Sequence, residues 1–344
     1  MTNIITMGEL LLRLSTKHYN TFGQASEFQA NYGGGEANVA ISLAQMGHKV
    51  KYVTKLPDNP IGDCALNELY KMHVNTECIV RGGERIGTYY LETGSSVRPS
   101  RVVYDRKHSS ISEADIDDFD FDKIFEGGTW FHFSGITAGI SEKGRLLTRA
   151  FVKEAKLRGL KISADINYRG KLWTMEEASH VMPELVSMSD VVFAGPVDCI
   201  KILGCGAGTD DVYKYMSDKA LGEAVLRELA EKYELSYVIN SQRESISATH
   251  NIIGARILDA KSGNMHYSAK YDVDSIVDRV GGGDALAAGV ISVLAEDFTD
   301  YKGAIESGSA ASAIKHTING DYNVATRESI DELIKTGGGG IISR

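Results

Sequence analysis

Proline and cysteine are both scarce in this chain, which has 5 prolines and 4 cysteines among 344 residues. The cysteines form no CxxC pair and no group with histidine at zinc-ligand spacing, which argues against a disulfide scaffold and a zinc site built on cysteine. The low proline content, with 43% hydrophobic residues, excludes a collagen-like or disordered chain. We expect four reduced, buried thiols that behave as small hydrophobic groups: Cys64, Cys78, Cys199 and Cys205.

Long hydrophobic runs and an excess of basic residues are also missing. No stretch approaches the ~18 apolar residues of a membrane helix, and the N-terminus has no basic leader or small-residue cleavage site. We therefore expect a cytoplasmic protein with no membrane partner. The 37 basic and 46 acidic residues give a net charge of −9, which also argues against nucleic acid as the main partner. Any anionic substrate must be held by local arginines or backbone N–H groups.

Short apolar runs alternate with amphipathic segments of helical length along most of the chain. This alternation predicts an α/β fold with a central, mostly parallel sheet and helices on both faces. The predicted strands are Asn3–Met7, Val50–Thr54, Thr129–Phe133, Lys161–Asp165, Asp190–Ala194 and Ser236–Asn240. The predicted helices are Glu36–Met46, Gly62–Lys71, Glu142–Leu157, Glu176–Val186 and Lys219–Lys232. Ligands of such sheets bind beyond the carboxyl ends of the strands.

Two regions, 11–32 and 87–112, read instead as short strands with polar alternation. We expect them to form a small antiparallel β lid, while residues 1–10, 33–86 and 113–336 form the main α/β domain that binds nucleotide and substrate. Residues 337–344, which begin with four glycines, are expected to be a flexible tail. An exposed strand edge and apolar face tend to be covered, so we predict a homodimer that pairs through the lid.

The strongest local motif is Asp278-Arg-Val-Gly-Gly-Gly-Asp284, followed by a helix of small residues. Glycines that open a helix present free N–H groups to an anion, and Asp284 could take a proton from a hydroxyl beside them. The alternative is an ordinary glycine turn with Asp284 as its N-cap. The motifs GxxxxGK[ST], HRD, DFG and HExxH are all absent, which argues against P-loop enzymes, the common protein kinases and HExxH metalloproteases.

Three weaker clusters accompany this motif. Gly33–Asn38 again places glycines at a helix start, with Asn38 available for hydroxyl recognition. Arg169 follows the strand Lys161–Asp165 and could hold a carboxylate through two hydrogen bonds, although a surface ion pair is the alternative. Tyr104 and Arg106 share one face of a predicted lid strand. The histidines show no metal-ligand grouping, and we expect His132 to be a hydrogen-bonded core residue.

Taken in order, these motifs resemble the ribokinase-like (PfkB) family of carbohydrate kinases. YGGGEANVAISLAQMG resembles its N-terminal signature and DRVGGGDALAAG its C-terminal signature. Several segments look most like the family's 2-keto-3-deoxygluconate kinases: YLETGSSVRPSRVVYDRKHSS, FHFSGITAG, DINYRGKLW and SAASAIKHTINGDYN. The resemblance implies a ribokinase-like three-layer α/β/α fold. It also implies ATP-dependent phosphorylation of the terminal C6 hydroxyl of a keto sugar acid, with Mg²⁺ accompanying ATP and K⁺ as a further candidate cofactor.

The resemblance also implies roles for individual residues. Asp284 would be the catalytic base, and the anion hole would consist of Gly281, Gly282 and Gly283. The sugar hydroxyls would be held by Gly33, Gly34 and Asn38, with Tyr89 and Tyr104 closing over them. Arg106 and Arg169 would bind the carboxylate end of the substrate, because a buried carboxylate without a cationic partner is costly.

Two segments depart from the family pattern. Gly195-Pro-Val-Asp198 replaces a stretch that contains Asn and Glu in many relatives, which leaves Asp198 as a candidate for holding the metal through water. The phosphate loop after the next strand becomes Asn240–Ser245, with Ser241 and Arg243 as candidate nucleotide contacts. Two alternatives stay open: a kinase for a neutral ketose or nucleoside and, because of these departures, a sugar-acid-binding protein without catalysis.

Overall fold

The computed structural model of the chain describes residues 3–206 and 212–338. Its strands are β1 Asn3–Met7, β2 Leu11–Thr16, β3 Phe28–Gly33, β4 Lys49–Val53, β5 Lys55–Leu56, β6 Val80–Arg81, β7 Gly87–Glu92, β8 Arg101–Asp105, β9 Trp130–Ser134, β10 Lys161–Asp165, β11 Val191–Phe193, β12 Tyr237–Ser247, β13 His250–Asp259, β14 Asn264–Tyr267 and β15 Tyr271–Val273. Its helices are α1 Gly35–Gln45, α2 Pro60–Lys71, α3 Phe121–Phe125, α4 Gly135–Gly139, α5 Glu142–Leu157, α6 Met175–Val186, α7 Pro196–Lys201, α8 Val212–Ser217, α9 Lys219–Lys232, α10 Gly282–Leu294, α11 Tyr301–His316 and α12 Arg327–Thr336. None of these helices combines the length and the apolar character needed to cross a bilayer.

A nine-stranded sheet forms the centre of the molecule, in the order β14-β13-β12-β11-β10-β9-β1-β4, with β15 paired to β13. Every pair from β4 to β12 is parallel, whereas β13, β14 and β15 add antiparallel pairs at one end. The prediction of a mostly parallel central sheet is confirmed. Because parallel strands end at the same edge, the segments that follow β1, β9, β10 and β11 gather on one side of the sheet.

Buried apolar side chains cover both faces of this sheet. In β9, Phe131 and Phe133 belong to one buried cluster and Trp130 to the other, since neighbouring side chains of a strand point to opposite faces. The first cluster includes residues of α5, α6 and α9, and the second includes residues of α1, α10 and α11. Each fully buried aliphatic side chain contributes about 1.5–3 kcal/mol. Apolar contacts on both faces thus produce the three-layer α/β/α arrangement that was predicted.

A second, smaller sheet has the order β3-β2-β7-β8, and we call it the lid sheet. Its outer pairs, β2–β3 and β7–β8, are antiparallel, which confirms the small antiparallel sheet. The central pair β2–β7 is parallel. A parallel pair needs a long connection rather than a hairpin, and the long stretch of chain between these strands provides it. The division of the chain into a main domain and a lid stays a prediction.

Two local predictions need correction. Cys64 is exposed, while the other three thiols are buried and all four are free. On α2 the buried positions are Gly62, Ala65 and Leu69, so the helical period turns Cys64 toward solvent. The segment Asn240–Ser245 is not a loop, because β12 continues to Ser247 and each residue of this segment pairs with β13.

The expected tail lies partly outside the described residues, which stop at residue 338. Gly337 ends α12 in a left-handed conformation with φ 66°, a common helix ending. The last two glycines of this segment, Gly339 and Gly340, are not among the described residues.

Candidate active site

Two helices that start after glycines meet at the carboxyl edge of the main sheet. The Asn38 Nδ2 atom of α1 donates a hydrogen bond of 2.6 Å to the Asp284 Oδ2 atom of α10. A Cβ atom at Gly34 would lie 1.9 Å from the Glu9 carbonyl oxygen, and one at Gly281 would lie 1.6 Å from the Asp321 carbonyl oxygen. Gly281 also has φ 82°, a conformation that favours glycine. Only glycine therefore fits these two helix starts.

A cavity of about 640 Å³ opens in front of these helix starts. Its wall includes twelve of the fourteen predicted site residues: Gly34, Asn38, Tyr89, Tyr104, Arg106, Arg169, Ser241, Arg243, Gly281, Gly282, Gly283 and Asp284. A smaller adjoining cavity of about 180 Å³ shares Arg169, Ser241 and Gly283 with the first. The structure thus collects residues from the lid sheet, α1, β12 and α10 into one site.

Gly33 and Asp198 fall outside the main cavity. A Cβ atom at Gly33 would lie 2.3 Å from the Asp321 Oδ2 atom, so this glycine allows close approach to Asp321 rather than to a ligand. Gly35 lines the cavity in its place. Asp198 lines the smaller cavity and accepts a 2.9 Å hydrogen bond from the Gly195 N–H group at the start of α7.

Asp284 lies in the first turn of α10, on the cavity wall. Burial raises the pKa of Asp284 to about 7, while the hydrogen bond from Asn38 and the positive charge of Arg169 oppose the shift. A carboxyl group with a pKa near neutrality can accept a proton and release it again under physiological conditions. Its environment therefore suits a general base.

Asp165 is a neighbouring acid whose importance the sequence motif did not reveal. It ends β10 and lines both cavities. Burial raises the pKa of Asp165 to about 8, and the negative charge of Asp284 adds to the shift. Burial also raises the pKa of Asp198. Within the described residues neither Asp165 nor Asp198 forms an ion pair, and the signal that could have found Asp165 was its place at a strand's carboxyl end.

Arg106 faces the cavity, but its charge is already balanced. Its Nε atom donates a 2.8 Å hydrogen bond to the Glu9 Oε2 atom, and its Nη2 atom donates a second to the same oxygen. Both side chains are buried. Glu9 follows β1 and also lines the cavity, and its Oε1 atom has no hydrogen-bond partner among the described residues. Sequence analysis missed this acid because nothing local to Glu9 indicates a partner almost a hundred residues away.

A buried ionic network joins the lid sheet to the glycine turn. Arg13 of β2 donates from Nη2 to the Asp278 Oδ2 atom at 2.5 Å and from Nη1 to the Asp321 Oδ1 atom at 2.6 Å. The Tyr89 hydroxyl donates to the other oxygen of Asp321. Asp278 also accepts hydrogen bonds from the N–H groups of Val280 and Gly320. The lid sheet and the glycine turn, which the sequence predicts to bind an anion, are therefore held in one arrangement.

Three arginines on the cavity wall, unlike Arg13 and Arg106, form no ion pair among the described residues. They are Arg169, Arg243 and Arg279. The nearby charge of Arg243 adds to burial in lowering the pKa of Arg279. His316, whose Nε2 atom has no described partner, also lines this side of the cavity. Arg169 lies among the acids Asp165, Asp198 and Asp284, whereas Arg243 and Arg279 add positive charge to the cavity that suits an anionic ligand.

His132 is a core residue, as predicted. It is 1% exposed, and its Nδ1 atom lies 2.8 Å from the Ser163 hydroxyl oxygen. Burial lowers the pKa of His132 to about 3. No cluster of three or more His, Cys, Asp or Glu side chains with metal-binding geometry occurs in residues 3–206 and 212–338.

Comparisons with known proteins agree with this geometry. Residues 1–196 match the pfkB family carbohydrate kinase domain. The crystal structure of 2-dehydro-3-deoxygluconokinase from Thermotoga maritima superposes with a TM-score of 0.91 at 42% identity, covering 97% of this chain and 100% of that chain. A 2-dehydro-3-deoxygalactonokinase from Haloferax volcanii is 28% identical over 338 residues, 98% of each chain. A 2-dehydro-3-deoxygluconokinase from Bacillus subtilis is 25% identical over 96% of this chain and 94% of its own.

The family match covers more than half of the chain, and the Thermotoga maritima structure matches nearly all of it. Both signatures lie at the cavity, where they supply the two glycine-led helix starts. This protein belongs to the pfkB family of carbohydrate kinases.

Proposed function

We propose that this protein is a 2-keto-3-deoxygluconate kinase, which transfers the γ-phosphoryl group of ATP to the terminal hydroxyl of the sugar acid. The observation that carries the proposal is Asp284, a carboxyl group with a raised pKa beside the glycine turn and bonded to Asn38. The Thermotoga maritima and Bacillus subtilis relatives are kinases of this same acid, under its synonym 2-dehydro-3-deoxygluconate.

In the proposed reaction the Asp284 carboxylate accepts the proton of the substrate hydroxyl. That oxygen forms a bond to the γ-phosphorus as the bond from this phosphorus to the bridging β,γ-oxygen breaks, and ADP leaves with the bonding electrons. The N–H groups of Gly281, Gly282 and Gly283 stabilise negative charge on the phosphoryl oxygens during transfer. Phosphoryl transfer depends mainly on such positioning and charge neutralisation.

Asp165 and Asp198 fit a role in holding Mg²⁺. Both are acidic side chains in the smaller cavity, next to Gly283, and neither has an ion-pair partner among the described residues. Mg²⁺ usually keeps several waters and binds one or two carboxylates together with substrate phosphates. When bound, it would neutralise charge on the ATP phosphates.

The remaining site residues divide between the two substrates. Arg169, which forms no ion pair among the described residues, binds the substrate carboxylate. Arg106 is instead paired with Glu9, and it orients the Glu9 side chain in the cavity wall. Gly34, Asn38, Tyr89 and Tyr104 surround the sugar hydroxyls. On the side formed by β12, Ser241 and Arg243 contact the nucleotide, with Arg279 as an addition to the predicted set.

The two alternatives from the sequence are less favoured. A kinase for a neutral ketose or nucleoside has no need for Arg169 on the cavity wall, and a pure sugar-acid-binding protein has no need for a base at Asp284. The deciding experiment measures ATP consumption with 2-keto-3-deoxygluconate, 2-keto-3-deoxygalactonate, fructose and a nucleoside, and identifies the phosphorylated carbon by NMR. We expect the gluconate derivative to have the highest kcat/KM and to carry phosphate at C6. Binding of the acid by calorimetry with no ATP consumption would instead favour the binding protein.

We further propose a homodimer that forms through the lid sheet. Ala30, Leu14, Tyr90 and Val103 lie in one cross-strand row, on the face opposite Arg13 and Tyr89. Val103 is 51% exposed. Sedimentation should give the mass of a dimer for the parent and of a monomer for Val103→Arg. A monomeric parent at micromolar concentration would contradict the proposal.

We propose the cytoplasm as its location, because the reaction consumes ATP. The four free cysteines also suit a reducing compartment. Cell fractionation with an antibody against the chain would test this.

A further inference from the structure

Lys315, on α11, is a buried ammonium group that the proposed mechanism does not use. Its side chain is 0% exposed. Its Nζ atom donates hydrogen bonds to the carbonyl oxygens of Ile318 at 3.0 Å and of Asp278 at 3.4 Å. No carboxylate of the described residues lies within ion-pair distance of it. A buried lysine with only backbone carbonyls as direct partners is unusual, because buried charges normally pair with an opposite charge.

Those two carbonyls flank the anion-binding turn. Asp278 opens the segment that leads to Gly281, and the N–H groups of Val277 and Asp278 both donate to the His316 carbonyl oxygen. The Cε atom of Lys315 lies 3.5 Å from the position of a Cβ atom on Gly281. The ammonium group therefore bridges the segment before the turn and the segment after α11, and its side chain passes close to Gly281.

Lys315 adds a second positive charge to this region, beside that of Arg13. The acids that act on it are Asp278, Asp321 and, at the cavity, Asp284. K⁺ is bound in proteins by carbonyl oxygens that replace its hydration shell. Here the carbonyl oxygens of Asp278 and Ile318 already accept from the Lys315 ammonium group. The residues beneath the turn therefore do not fit a bound K⁺ ion.

We propose that Lys315 is a positioning residue that supplies, from within the chain, the monovalent cation beneath the anion-binding turn, so that the kinase needs no K⁺. The inference rests on the proposed kinase function. In this proposal Lys315 touches neither substrate. Its hydrogen bonds hold the carbonyl groups of Asp278 and Ile318 in place, and these segments position the Gly281–Gly283 turn. Loss of the ammonium group would remove the donor to the Asp278 and Ile318 carbonyl oxygens and one positive charge from beside the nearby acids.

The experiment compares the parent enzyme with Lys315→Met at equal ionic strength in potassium chloride and choline chloride. The parent should have the same kcat in both salts. For Lys315→Met in choline we expect kcat to fall roughly 100-fold, because the turn is displaced from the transferring group, with little change in the KM for the sugar acid. Potassium or methylammonium should restore most of this loss. Lys302→Met, at an exposed position of the same helix, should match the parent in both salts.

Thermal unfolding gives a readout that does not depend on activity. Potassium should raise the melting temperature of Lys315→Met relative to choline and leave that of the parent unchanged. A parent enzyme that loses its activity or stability in choline would overturn the inference, even if the variant failed to fold. A folded variant that potassium neither activates nor stabilises would also overturn it. A parent that phosphorylates no substrate in either salt would refute the proposed function instead, and the melting temperatures would still test Lys315.

Discussion

The arginines on two sides of the cavity differ in whether they are paired with acids. One side is formed by the lid sheet and the other by β12. On the lid side, Arg13 and Arg106 are buried and bonded to acids of the same chain. On the β12 side, Arg243 and Arg279 face the cavity with no ion pair among the described residues, and each adds to the positive potential around the other.

This difference indicates that the paired and the unpaired arginines have different roles. In the proposed function, the paired charges on the lid side fix the geometry of the sugar pocket before the substrate arrives, which lowers the entropic cost of binding. Unpaired arginines on the other side are balanced only when an anion such as a nucleotide phosphate binds. In the proposed reaction, Asp284 and the glycine turn act on both substrates, because the phosphoryl group passes from one to the other.

The largest expected effect comes from the group that serves both sides. Asp284→Asn keeps the size of the side chain but removes the base, so we expect kcat to fall by a factor of about 10² to 10⁴. Steady-state kinetics would show this loss with the affinity for the sugar acid retained in calorimetry. Asp331→Asn, at an exposed position on α12, serves as the matched control. An Asp284→Asn enzyme as fast as the parent would refute the proposed mechanism.

On the lid side, breaking a charge pair should affect stability first. Arg13→Met leaves Asp278 and Asp321 buried without their cation, which should cost about 3–5 kcal/mol of the free energy of unfolding. Chemical denaturation measures the change. Arg101→Met, exposed on β8 of the same sheet, should change stability little. Equal stability of Arg13→Met and the parent would show that the network is not needed to hold the lid.

The next prediction concerns Arg169, the proposed partner of the substrate carboxylate. Arg169→Ala should raise the KM for 2-keto-3-deoxygluconate about 10- to 100-fold, the value of a charge-assisted hydrogen bond. The activity with a neutral ketose should change much less. Lys153→Ala, an exposed cation on α5, controls for the loss of one positive charge. A rise in KM of the same size for the ketose would contradict a carboxylate contact.

The pH profile tests the state of Asp284. The base is active as a carboxylate, and its pKa is about 7, so kcat/KM should fall roughly tenfold from pH 8 to pH 6. Arg169 lowers the pKa of Asp284, so Arg169→Ala should move this fall to higher pH. A profile that stays flat over this range, or moves to lower pH in the variant, would count against Asp284 as the base.

The smallest effect is expected on the β12 side. Arg243 is exposed, so Arg243→Ala should raise the KM for ATP by about five-fold at most, the value of a screened surface charge. It should not lower stability, because it removes a like charge from beside Arg279. Denaturation and ATP titration of the same variant decide both points. A large loss of stability would mean that the two sides do not differ as described.

Local patterns along the chain were enough for the elements and for most of the cavity wall. The strand predicted over Lys161–Asp165 and the helices over Glu142–Leu157 and Lys219–Lys232 match the structure residue for residue. Alternation and periodicity depend on near neighbours, which explains this success. The end of β12 was missed because its pairing with β13, and not its own residues, extends the strand.

Glycine-led helix starts and their order along the chain belong to the primary sequence, since only glycine permits the close approaches at Gly34 and Gly281. The pairing of charged residues that are far apart in sequence is decided only by the tertiary structure. Arg106 with Glu9, Arg13 with Asp278 and Asp321, and Lys315 beneath the turn are brought together only when the lid sheet and α11 pack around α10. No local pattern encodes such pairs, because burial and partner choice are properties of the folded neighbourhood rather than of the residue itself.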